Sequence, residues 1–101
     1  MIFAALNEAA DHGELLLVAG GLCRFHRRRD GTVTIRELLV LPECRRQGIG
    51  RSLVEAVVHR HPGARLLARC PTCYPANGFW PRVGFVLVRE EKGCKVWERR
   101  G

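Results

Sequence analysis

The sequence has no run approaching the ~20 consecutive apolar residues that a membrane-spanning helix needs, which excludes a helical membrane protein. Its first residues, Met1-Ile2-Phe3-Ala4-Ala5-Leu6-Asn7-Glu8, lack the basic leader and long apolar stretch of a secretion signal. Cysteine is poorly arranged for a disulfide scaffold: there are five, an odd number, and only Cys70 and Cys73 stand close together. Acid is scarce, with ten Asp and Glu against seventeen Lys and Arg, a net charge of +7. Lysine is nearly missing too, since fifteen of those seventeen cations are arginine. A planar guanidinium suits phosphate or carboxylate, although codon bias would produce the same surplus.

Repeats, low-complexity tracts and linkers are also absent. A chain of 101 residues, 47% of them apolar, can bury one two-layer core and is neither disordered nor fibrous. The expectation is a single domain over residues 1–101, in the cytoplasm.

Ile2 to Ala10 has helix-like apolar spacing, ended by Asp11-His12-Gly13. Glu14 to Ala19 reads as a short buried strand, Gly20-Gly21 as a turn, and Leu22 to Arg28 as a strand with Cys23 and Phe25 on one face. Arg29-Asp30-Gly31 is a hairpin signal. Thr32 to Val40 is the clearest strand, rich in β-branched residues, and strict alternation puts Glu37 on the face of Val33, Ile35 and Leu39. After Pro42, Ile49, Leu53, Val54, Ala56 and Val57 form one stripe of a helix that ends at His61-Pro62-Gly63. Ala64 to Cys70 is the next strand, completing a βαβ unit with parallel strands. A short helix within Pro75 to Val83 and a hairpin around Glu91-Lys92-Gly93 close the chain. The fold class is α/β, a mixed α+β sheet.

The chemistry concentrates where strand meets helix. Arg45-Arg46-Gln47-Gly48-Ile49-Gly50-Arg51 sits at a helix start, where backbone N–H groups have no internal partner and the dipole is positive. Two glycines remove the Cβ atoms that would hold a phosphate away, and Arg45, Arg46 and Arg51 can add charge-assisted hydrogen bonds. It is neither a Walker loop, which needs Gly-Lys-Ser/Thr, nor a dinucleotide fingerprint, because Leu53 replaces the third glycine.

The segment from Leu38 to Leu53, with its Arg45-Arg46-Gln47-Gly48-Ile49-Gly50 core, resembles the acetyl-coenzyme A loop of the GNAT acetyltransferase superfamily. Ala76-Asn77-Gly78-Phe79-Trp80-Pro81-Arg82-Val83-Gly84-Phe85 resembles that family's second landmark. The resemblance covers residues 14 to about 98. It implies a splayed sheet in which backbone groups of Leu38 and Val40 pair with the pantetheine arm. The N–H groups of Arg46, Gln47, Gly48, Ile49, Gly50 and Arg51 would hold the pyrophosphate. It also implies a truncated N-terminal region, since about thirteen residues precede the first strand. A homodimer could then complete the acceptor pocket.

Acetyl transfer to an amine needs a base, an oxyanion donor and an acid for the departing thiolate. Glu37 is the candidate base, its carboxylate desolvated on an apolar face; an ion pair with an arginine is the alternative. A main-chain N–H near Leu39 and Val40 is the oxyanion donor. The family's tyrosine aligns with Trp80, which cannot release a proton usefully, so Tyr74 is the candidate acid. Asn77 is expected to bond the cofactor through its amide, with Phe79 and Trp80 beside it. Cys70-Pro71-Thr72-Cys73 admits a redox centre or a zinc site, but ordinary packed thiols fit it better, and no metal ligand set is assigned. His26 is expected to be solvated; His12, His59 and His61 read as surface or helix-end residues.

The leading expectation is an N-acetyltransferase moving acetyl from acetyl-coenzyme A to a primary amine by direct attack. The competing one is a coenzyme A sensor without catalysis, suggested by Trp80 and the short N-terminal region. Nucleic acid is held as a substrate class rather than a main function, because no stacking array is visible.

Overall fold

Residues 13–100 are described by a computed structural model. Six strands form one sheet in the order β1-β2-β3-β4-β6-β5. They are β1 (Leu15–Val18), β2 (Gly21–Arg27), β3 (Val33–Val40), β4 (Arg65–Pro71), β5 (Val86–Glu91) and β6 (Cys94–Arg100). Helix α1 (Ile49–Arg60) links β3 to β4, and a 3₁₀ turn (Pro75–Gly78) runs into the one-turn α2 (Phe79–Arg82). The expected helix over residues 2–10 lies outside the described residues.

The mixed α/β architecture is as expected, and β3 and β4 are parallel, joined through α1. α1 lays Leu53, Val54 and Val57, all fully buried, against Cys23, Phe25, Val33, Ile35, Leu66 and Ala68 of the sheet. That match of a helical stripe to a strand face is the burial that holds the domain together. The β5–β6 hairpin turns at Lys92 and Gly93, both with positive φ (50° and 74°), the combination a two-residue turn of matching twist requires. β6 then inserts beside β4, leaving β5 at the edge.

Two expectations are corrected here. The apolar run Leu15–Val18 is not a buried strand: β1 is an edge, and Leu17 is 68% exposed. More consequentially, β3 is bulged. Arg24 pairs with Glu37 and Phe25 with Ile35, so Arg36 is an extra residue opposite no partner. One inserted residue reverses the facing of everything after it. Leu38 therefore joins the core, and Glu37 shares the other face with Arg24 rather than with Val33 and Ile35.

α1 is also tied to β6. Arg99 donates from Nη1 to Glu55 Oε1 at 2.6 Å, from Nη2 to Oε2 at 3.3 Å, and from Nη1 to the Val83 carbonyl at 2.9 Å. The Arg99 guanidinium holds the Glu55 carboxyl below the usual carboxylate range. A carboxyl lowered on folding contributes stability that is fully present above its unfolded value of about 4.3. The contribution disappears as pH falls through the lower folded value. Glu55→Gln should thus lower the urea midpoint at neutral pH and converge on wild type as pH falls below the carboxylate range, flattening the acid side of the profile; a profile parallel to wild type would exclude this contribution.

Candidate cofactor site

β3 and β4 pair over three positions, Val33–Leu66, Thr34–Leu67 and Ile35–Ala68, and then part. The parting begins at the bulged Arg36. Beyond it the Leu41 N–H donates to the Gly20 carbonyl at 2.8 Å, on the β2 side. Backbone groups alternate along a strand, so those of Leu38 and Val40 turn toward the gap, while those of Leu39 face β2.

The gap leads to the start of α1. Gly48 caps the helix with φ +78°, and no side chain caps it. The first helical bond runs from the Ser52 N–H to the Gly48 carbonyl at 2.9 Å, leaving the N–H groups of Ile49, Gly50 and Arg51 without helical partners. Arg46 is also left-handed, φ +67°, and a backbone that alternates in this way turns successive N–H groups into a concavity suited to an anion. No acidic residue lies in the first turn, and Arg45, Arg46, Gln47 and Gly48 are exposed.

Gly50 is needed for a different reason. A Cβ there would lie 3.0 Å and 3.2 Å from the Phe79 ring, which closes the wall beside the helix start. Gly21, read only as a turn residue, does comparable work: its Cβ would meet Ile49 Cγ2 and the Leu39 carbonyl, each at 2.9 Å. A paired glycine between two strands was the one signal for it. Leu39, Leu41 and Tyr74 are exposed apolar side chains at this end of the sheet.

Glu37 is in an ion pair, with Arg24 Nη2 donating to Oε1 at 3.0 Å. Its other oxygen, Oε2, is buried and, among the described residues, unpartnered, as are Arg24 Nε and Thr34 Oγ1. Tyr74 begins the turn after β4, and no hydrogen bond connects it with Glu37.

Four further expectations change. Asn77 donates from Nδ2 to the Pro71 carbonyl at 2.8 Å and the Tyr74 carbonyl at 3.0 Å, and its Oδ1 accepts from Trp97 Nε1 at 3.0 Å. Its donors are committed to the fold, not to a cofactor. Trp80 is 7% exposed and edge-on to Phe79 and Phe85, with centroids 5.1 Å apart in each pair, so it is a core residue rather than a cofactor wall. The Arg51 guanidinium donates to the Arg82 carbonyl at 2.7 Å, which draws the side chain from the loop while its backbone N–H stays there. His26 is not merely solvated, because its Nδ1 lies 2.7 Å from Glu14 Oε2.

The cysteines are free thiols, Cys70 buried and Cys73 exposed. Burial pushes the Cys70 thiol up. Among the described residues no cluster of three or more His, Cys, Asp or Glu could hold a metal ion, and no helix is long and apolar enough to cross a membrane.

Comparison with known proteins agrees with this arrangement. A protein from Desulfovibrio desulfuricans described as a GNAT-family acetyltransferase superposes with a TM-score of 0.69 at 24% identity, covering 80% of this chain and 60% of its own. Arabidopsis thaliana Naa50, in complex with the bisubstrate analogue CoA-Ac-MVNAL, gives 0.59 at 22% identity, covering 78% and 64%. A Bacillus anthracis protein described as a streptothricin acetyltransferase, in complex with acetyl coenzyme A, gives 0.64 at 19%, covering 80% and 55%. The chain thus spans less than two thirds of the length of each, and at these identities the likeness is one of fold. No curated protein matches the sequence significantly. The sequence profile of the acetyltransferase (GNAT) domain, however, matches residues 2–87. With that match over most of its length, and with a sheet that parts beside a bare helix start, the chain belongs to the GNAT acetyltransferase family.

Proposed function

We propose that this domain is an N-acetyltransferase that passes the acetyl group of acetyl-coenzyme A to a primary amine. The observation that carries this is the meeting, in one place, of the β3–β4 parting and the unpartnered N–H groups of α1. The residues present fit the cofactor: Gly48 keeps the cradle open, Gly50 admits the Phe79 ring beside it, and Leu38 and Val40 present unpaired backbone groups. Leu38, Leu39 and Val40 would line the pantetheine arm. Arg45, Arg46, Gln47, Gly48, Ile49, Gly50 and the Arg51 N–H would hold the pyrophosphate. When bound, the cofactor supplies an acyl group activated as a thioester.

This chain's part is to position the amine and remove its proton. A lysine-like amine has a pKa of about 10.4, so attack requires an acceptor near it. Glu37 has one oxygen fixed by Arg24 and a second with no partner, the arrangement of a carboxylate held in orientation with a lone pair free. Tyr74 is the proposed acid, exposed at the same end of the sheet. Naa50 is held with an analogue joining coenzyme A to a peptide, and this supports an amine acceptor of peptide type. A second copy completing the acceptor pocket belongs to the same reading.

The test is thiol release from acetyl-coenzyme A with a panel of amines and amino-terminal peptides. Glu37→Gln keeps an oxygen for Arg24 and should lower kcat by about 10²–10⁴-fold with coenzyme A affinity nearly unchanged. Unchanged turnover would remove Glu37 from the chemistry. Coenzyme A binding by a wild type that acetylates no amine would favour the sensor reading.

A further inference from the structure

Arginine gathers at both ends of the sheet, at the glycine loop and at the opposite end. We propose that the end remote from the glycine loop is a docking surface for the phosphodiester backbone of duplex DNA, a function separate from acyl transfer. Chain direction decides what gathers there: β2, α1 and β6 end at that side, and β3 and β4 begin. Arg27, Arg28 and Arg29 lie on or follow the end of β2, Arg60 ends α1, and Arg100 ends β6.

Specific contacts show that these segments are neighbours. Arg100 is in register with Arg65 at the start of β4. The His61 ring, just past Arg60, stands edge-on to Phe25 of β2 with centroids 5.4 Å apart. The Asp30 carboxyl is held low mainly by hydrogen bonds from Thr32, and Arg28 and Arg65 both add to the effect.

The five arginines are exposed, and among the described residues none of them joins an ion pair. The acids nearby have other partners. Asp30 accepts the Thr32 N–H at 2.8 Å, Glu98 is bonded to Arg65, and Glu14 accepts from the Arg27 N–H while pairing with His26. Among the described residues a net positive field therefore stands on one blunt end, offset only in part by Asp30.

The chemistry of the patch selects the partner. Guanidinium forks match phosphate oxygens in pairs. The described aromatics are buried or partly buried, apart from Tyr74 at the opposite end, so nothing here offers a platform for unstacked bases and a single strand is disfavoured. The large exposed apolar side chains lie on β1, on the β5 edge and at the loop end. Of these only Val86, which lines a pocket with Glu98 and Arg100, adjoins the arginines, and a single valine is not the apolar centre that protein partners grip, whereas a duplex backbone is held by charge alone.

Fluorescence anisotropy of a labelled DNA duplex tests this across a salt series. If the five arginines each meet a phosphate, log K falls against log salt with a slope of about −4.5, a loss of roughly 500-fold between 50 and 200 mM. The triple variant Arg27→Gln, Arg28→Gln, Arg29→Gln should reduce the magnitude of that slope by about 2–3, leaving coenzyme A affinity unchanged. Arg45→Gln with Arg46→Gln, at the other end, should retain duplex binding. Absence of duplex binding at low salt, a triple variant that binds like wild type, loss in the Arg45/Arg46 variant instead, or preference for a single strand or polyglutamate would each overturn the proposal.

Discussion

Gly48→Glu is expected to fold as the wild type does and to bind coenzyme A at least about 100-fold more weakly, a difference of about 2.7 kcal/mol. The site has room, since a Cβ at Gly48 would meet nothing within 4 Å. Packing is therefore not disturbed. The backbone is the first obstacle: φ is +78°, and a side chain there costs about 1–2 kcal/mol, tending to unwind the turn that aims the N–H groups. The carboxylate is the second. A unit charge about 5 Å from another at an effective dielectric of 20 contributes about 3 kcal/mol, here repulsive toward each phosphate charge before screening. Gly48→Ala separates the two effects and should weaken binding by only about fivefold. Isothermal titration measures both variants, and an unchanged affinity in Gly48→Glu would show that the diphosphate is held elsewhere.

Asn77→Ala should be the most destabilising polar substitution, at about 2–4 kcal/mol, with a fall in Tm of roughly 10–25 °C. The amide joins the end of β4, the following turn and the Trp97 indole of β6 through Pro71, Tyr74 and Trp97. Removing it leaves partly buried polar atoms in separate segments unpaired at once. Asn77→Asp retains the acceptor for Trp97 but turns an oxygen toward the Pro71 and Tyr74 carbonyls in place of the donors, so it should be no more stable than Ala. Coenzyme A affinity measured well below the melting range is the discriminating readout. A variant of unchanged Tm that loses the cofactor would return Asn77 to a binding role.

The glycine loop, the βαβ unit and the β2–β3 and β5–β6 hairpins are legible because their determinants are local. A helix start, a left-handed glycine and an Asp-Gly or Lys-Gly turn each involve neighbouring residues and the backbone alone. Strict alternation puts Glu37 on the wrong face because it counts residues, and no composition signal marks Arg36 as the extra one. The resemblance of residues 76–85 to the family's second landmark is what puts Asn77 and Trp80 beside the cofactor. Their partners, Trp97 and Phe85, are met only once the strands assemble.

By itself, then, the order of amino acids determined the elements, their sequence along the chain and the uncapped, glycine-bearing start of α1, since these depend on torsions and contacts within a few residues. Tertiary structure alone decided which face Glu37 occupies, what holds Asn77, and which arginines stand together at the far end of the sheet. Those outcomes depend on register and on chain direction between segments far apart, where a single bulged residue is enough to exchange core for solvent.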